Sequence, residues 1–153
     1  MSLLFFLIFT IGGGLLIGFL TRPGEWYAKL AKPSFTPPSG IFAPVWTLLY
    51  IMIAIAGWRT FAQDSLGPAM IVWTIALALN FSWSSIVFGL NQPVAALAVI
   101  VALLAMTITF IRLSWPQDAL SALLFVPYAA WTLFALLLNA EICRLNPPSR
   151  DVH

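Results

Sequence analysis

The chain has 153 residues, of which 61% are hydrophobic and 8% charged, against about 25% charged in an average soluble domain. Seven Lys and Arg and five Asp and Glu cannot cover the surface of a soluble domain of this size, which excludes a soluble enzyme, a disordered chain and a nucleic-acid binder with a broad basic face. A net charge of +2 is a small asymmetry, and with one cysteine and one histidine there is no intrachain disulfide and no His-based metal site or triad.

Five stretches are long and apolar enough to cross a bilayer, which takes about 20 residues each. The predicted fold class is an all-α integral membrane protein, a five-helix bundle forming a single domain over residues 1–153. Alternating short strands, the mark of a transmembrane barrel, are absent. The first span covers residues 3–20. Its Gly12, Gly13, Gly14 and Gly18 suit close helix packing. It lacks the basic n-region and small-residue cleavage site of a signal peptide.

Residues 21–40 form the one long connection. It holds Pro23, Pro33, Pro37 and Pro38, with Trp26, Tyr27 and Phe35 among Arg22, Glu25, Lys29 and Lys32. Its length suggests a lid; an interfacial anchor with aromatics at headgroup level is the alternative. The remaining spans are placed at 41–61, 68–88, 94–113 and 119–143. Their connections are short, so consecutive helices are expected to be antiparallel. Pro44 and Pro127 fall within or at the start of spans. They either bend the helix and open space or serve as first-turn prolines.

With five spans, Arg22, Lys29, Lys32, Arg144 and Arg150 share one side of the membrane, and Arg59 and Arg112 the other. The positive-inside rule puts the long loop and C-terminus in the cytoplasm. No acid or base lies near the middle of a span, which argues against a proton-coupled transporter or a channel with a charged filter. Glu141 and Arg144, three residues apart, are expected to pair.

The spans carry aromatics and amides instead. Trp58, Trp73 and Trp115 lie near span ends, where an interfacial belt is expected. Trp46 and Tyr50 share a helix face, as do Asn80 and Trp83, while Trp131, Ala135 and Asn139 form an i, i+4, i+8 stripe with Tyr128 one turn earlier. Three helices can thus aim one Trp each at a common centre, a room for a flat aromatic ligand held by stacking, with an Asn amide for a carbonyl. Ordinary core packing and interhelical amide hydrogen bonds explain the same stripes. Gly14-x-x-x-Gly18, and Ala69, Ala76 and Ala78, are each a candidate close-packing face within the bundle or in a dimer.

Four motifs carry a resemblance. Trp26-Tyr27-x-x-Leu30-x-Lys32-Pro33-x-x-x-Pro37-Pro38, Pro44-x-Trp46-x-x-x-Tyr50, Ala78-Leu79-Asn80-x-x-Trp83 and Pro127-Tyr128-x-x-Trp131-x-x-x-Ala135-x-x-Leu138-Asn139 resemble the translocator protein family, whose bacterial members are the tryptophan-rich sensory proteins, TspO. The resemblance runs from about Gly12 to Asn146. It implies a five-helix membrane protein, often a homodimer, that binds protoporphyrin IX and related tetrapyrroles, with benzodiazepine-type and isoquinoline carboxamide drugs in the same pocket beneath the first loop. It makes porphyrin a ligand or substrate and implies no obligatory cofactor.

Carried over by motif, the ligand-binding set is Trp26, Tyr27, Trp46, Tyr50, Asn80, Trp83, Trp131, Ala135 and Asn139. Some bacterial members degrade protoporphyrin IX in light, and the residues implicated there match Tyr27 and Trp131. Passive transport of tetrapyrroles or other small amphipathic molecules is the alternative function. Three departures stand out. Phe35 replaces a second loop Trp. Ser39-Gly40 replaces an Arg-Trp pair, leaving Lys29, Lys32 or Arg22 to meet a porphyrin carboxylate. Ala140 and Glu141 follow Leu138-Asn139 where the animal cholesterol motif needs a Tyr, so cholesterol transport is not assigned.

Overall fold

The computed structural model describes residues 1–148; Arg150 and His153 lie outside the described residues. Five helices are long and apolar enough to span a membrane. They are α1 (Leu3–Leu20), α3 (Ser39–Gln63), α4 (Pro68–Gly89), α5 (Pro93–Ser114) and α6 (Ala119–Leu145). A short helix, α2 (Glu25–Lys29), lies in the first connection. The sequence-based boundaries fall within two residues of these. The protein is an integral, multi-pass membrane protein built as an all-α bundle.

Start and stop signals are local. Pro68 and Pro93 open α4 and α5, where the missing N–H has no intrahelical partner to lose. Asp64 makes the link to α4, its carboxylate accepting from the Leu66 N–H at 3.2 Å. Asn91 takes a left-handed conformation (φ 54°) between α4 and α5, which Asn tolerates better than most residues. Pro44 and Pro127 lie inside α3 and α6, so each removes one i→i−4 bond. Two single π turns interrupt the α pattern, at Ile8–Gly12 in α1 and Ser85–Gly89 at the end of α4.

The helices form a ring in the order α1, α3, α6, α5, α4. One end is solid. Phe110 and Phe125 pack with centroids 4.0 Å apart, and Phe125 meets Tyr128 edge-on at 5.3 Å. Phe6 meets Trp73 at 5.5 Å. Trp73 is therefore no belt residue. It is 4% exposed, and its indole N–H donates to the Ile53 carbonyl at 2.9 Å. Gly57 makes this possible, because any side chain there would overlap the Trp73 ring. By contrast, Trp115 is exposed as a belt residue would be, and Trp58 is half-buried.

The small residues divide likewise. A side chain on Gly14 would overlap the Tyr50 ring, and one on Gly13 the Phe81 ring, so this face of α1 serves the bundle. Gly18 has open space in front of it. Ala69 and Ala76 are buried within the bundle and only Ala78 is exposed, so the three do not form one outward face for a dimer. Arg59 and Asp118 form a two-bond ion pair, 2.8 and 3.0 Å, joining the far end of α3 to the start of α6.

Candidate functional site

The loop end of the ring is hollow. A cavity of about 900 Å³ lies between α1, α3, α4 and the last turns of α6, with residues 21–39 across it. Ligand pockets for drug-sized molecules span about 300–1,000 Å³, so this one stands near the top of that range.

Its aromatic wall is built from α3 and α4. Trp46 and Tyr50, one turn apart, stack at 5.8 Å, and Trp83 lies 6.3 Å from Trp46. Trp26 and Tyr27 close the cavity from the loop. The Tyr27 ring meets Phe88 edge-on at 5.2 Å, and its partial burial raises the hydroxyl pKa above the ordinary value.

The two amides line the cavity but are already engaged. Asn80 accepts from the Tyr50 hydroxyl at 2.8 Å and donates to the Tyr128 hydroxyl at 2.9 Å, joining α3, α4 and α6. Asn139 accepts from the Trp83 indole at 3.0 Å and donates to the Pro93 carbonyl at 2.8 Å. The interhelical reading of the amides thus describes their hydrogen bonds, and the cavity reading describes their position.

Trp131 and Ala135 are not on the wall. Trp131 stands behind it, edge-on to Trp46 at 6.3 Å and packed on Phe42 and Phe134, and Ala135 is buried. The structure therefore brings Trp26, Tyr27, Trp46, Tyr50, Asn80, Trp83 and Asn139 onto one cavity and leaves two of the nine sequence-derived positions one layer back. Phe42 and Phe88 also line it. Phe42 lies four residues before Trp46, a helical spacing readable in the sequence. Phe88 sits on the π turn, which shifts the helical register so that spacing alone misses it.

The rim is cationic. Lys32 and Arg22 line the cavity and, among the described residues, no acid does. Lys32 is already committed. Its ammonium donates to the carbonyls of Tyr27 (2.6 Å) and Leu30 (3.3 Å), capping α2, and lies 4.5 Å from the Tyr27 ring centroid. Lys29 points at Glu25, 3.8 Å away on an exposed face. Arg22 is exposed, with its guanidinium over the Phe19 ring at 4.7 Å. Glu141 and Arg144 form the expected pair at 2.7 Å.

Residues 5–145 match the TspO/MBR family. The chain belongs to that family. It is 36% identical over 141 residues to protein CrtK of Rhodobacter capsulatus, covering 88% of this chain and 87% of that protein. It is 43% identical over 126 residues to the tryptophan-rich protein TspO of Archaeoglobus fulgidus, covering 79% and 80%. The human translocator protein is 35% identical over 129 residues, covering 80% and 75%. The motifs from the loop, α3 and α4 build the cavity wall here; the α6 motif supplies Asn139 to the wall and Trp131 behind it.

Proposed function

We propose that this TspO/MBR protein is a membrane receptor for porphyrins and other flat aromatic ligands, bound in the cavity beneath the first loop. The observation that carries the reading is the wall itself. A stacked Trp46–Tyr50 pair and Trp83 face about 900 Å³ of space, and aromatic faces bind flat π-systems by offset stacking. No ionised group reaches the inner wall, and the cations stand at the rim. That distribution suits a ligand with an apolar ring system and acidic edges, as in protoporphyrin IX. The loop side is proposed as cytoplasmic, since Arg22, Lys29, Lys32 and Arg144 lie there against Arg59 and Arg112 opposite.

The test is a titration of the detergent-solubilised protein with protoporphyrin IX, read by tryptophan fluorescence. Quenching with micromolar affinity, weakened by Trp46→Ala, is expected. Unchanged emission across the titration sinks the proposal. The same sample tests for turnover: loss of porphyrin absorbance that needs both protein and light supports a light-dependent degrading activity. Trp131 is separated from the ring by Trp46 in this geometry. A slower loss in Trp131→Phe would therefore report electron movement through Trp46 rather than contact with the ligand.

A further inference from the structure

Contacts along its length fasten the long loop to the bundle, beginning with the Thr21 hydroxyl, 3.4 Å from that of Ser84 on α4. Tyr27 packs on Phe88 of α4, and Phe35 packs edge-on to Phe134 of α6 at 6.1 Å. A further fastening, at the C-terminal end of α6, is polar. Asn146, the residue capping the C-terminal end of α6, accepts from the Ala31 N–H at 2.9 Å and donates to the Ala31 carbonyl at 2.8 Å. The same side-chain nitrogen donates to the Ile142 carbonyl at 2.8 Å, which holds the amide in place. A carboxamide presents one donor and one acceptor side by side, so Asn146 pairs with Ala31 as one strand residue pairs with another. The two residues are 115 positions apart in the chain.

We infer that this Asn146–Ala31 pair is a latch that gates entry to the cavity from the loop side. Asn146 follows directly from the α6 turn whose Asn139 and Ile142 line the cavity, and Ala31 lies between the cavity-lining Leu30 and Lys32. The latch therefore ties the roof to the wall. It is also easy to open. Ala31 is exposed, so when the pair parts both backbone groups meet water at once and no buried polar group is stranded. Beyond the hinge contact of Thr21 on Ser84, what else holds the loop is two edge-on aromatic contacts. The inference needs only the cavity and holds whichever ligand the cavity takes.

The test needs no ligand. Val87 lines the cavity and is buried, so Val87→Cys, a small change in volume, in a Cys143→Ser background places one thiol inside. Its labelling by a charged, bilayer-impermeant methanethiosulfonate in detergent reads access through the mouth. Removing two solvent-accessible hydrogen bonds is expected to speed labelling roughly tenfold in Asn146→Ala, each bond counting at the lower end of a typical net contribution because water replaces it. Asn146→Asp keeps the acceptor and loses the donor, so it should fall between. Ala31→Pro removes the N–H from the loop side, and Leu30 before it already has the extended backbone (φ −67°, ψ 143°) that a residue preceding proline requires. It provides the same reading should Asn146→Ala not fold. Equal labelling rates in a folded latch variant and its parent overturn the inference.

Discussion

At the scale of single residues, the site is decided by which side chains are free. Asn80 and Asn139 look in the sequence like the polar groups of a binding site, yet each is engaged on both its donor and acceptor sides by other helices. Of the three loop cations, Lys32 caps α2 and Lys29 faces Glu25. Among the described residues Arg22 makes no ion pair, and under the proposed reading it would meet an acidic ligand edge. Arg22→Gln should weaken binding of protoporphyrin IX by up to roughly 5-fold, as one exposed charge pair contributes up to about 1 kcal/mol. It should leave the affinity for the dimethyl ester unchanged, measured in the same fluorescence titration. An equal loss for acid and ester would assign Arg22 a packing role instead.

At the scale of the helices, glycine placement decides what is solid and what is hollow. Gly57 admits the Trp73 ring into α3, and Gly14 admits Tyr50 against α1. Gly57→Leu should lower stability by about 1–3 kcal/mol, the usual cost of overpacking, seen as a lower melting temperature; Trp73→Phe in the same chain should recover part of it. A melting temperature unchanged by Gly57→Leu would mean that α3 and α4 separate there at little cost. This is also where sequence reading reached its limit. Helix number, boundaries and the Trp46–Tyr50 face follow from apolar length and 3.6-residue spacing, both local properties. The position of Trp73 does not, because near a helix end an indole suits a belt or a core equally well. What decides is the absence of a side chain on another helix. The Asn146–Ala31 pair and the π-turn position of Phe88 were illegible for the same reason: each depends on partners or register that no local pattern encodes. Helical spacing aimed Trp131 at the same centre as Trp46 and Trp83, but it cannot tell a cavity wall from the layer behind it, where Trp131 packs on Trp46.

At the scale of the molecule, the two ends of the ring are held differently. Opposite the loop, Arg59 grips the Asp118 carboxylate with two hydrogen bonds and the Ser121 hydroxyl donates a third at 2.6 Å. This tie crosses 59 residues of sequence and was visible only as two charges on the same membrane side. The guanidinium and hydroxyl hold the Asp118 carboxyl at about 2, below its ordinary 3.8. Because the folded pKa is the lower one, the contribution is complete above about pH 4 and is lost as pH falls toward 2. Melting in detergent should be level from pH 7 to 5 and fall below pH 4. Arg59→Gln should melt lower at pH 7, by about 1 kcal/mol of stability for a partly exposed pair, and show a smaller acid drop. Identical acid profiles for the two proteins would remove Asp118 as the cause.

The packed floor of Trp73, Phe110, Phe125 and Tyr128 has a consequence for traffic. A guest in the cavity would have these packed rings between it and the far end of the bundle. None of those four rings lines the cavity, so the chamber stops short of the far end of the bundle among the described residues. Crossing the membrane would require the floor itself to part, whereas holding and releasing a guest requires only the roof to move.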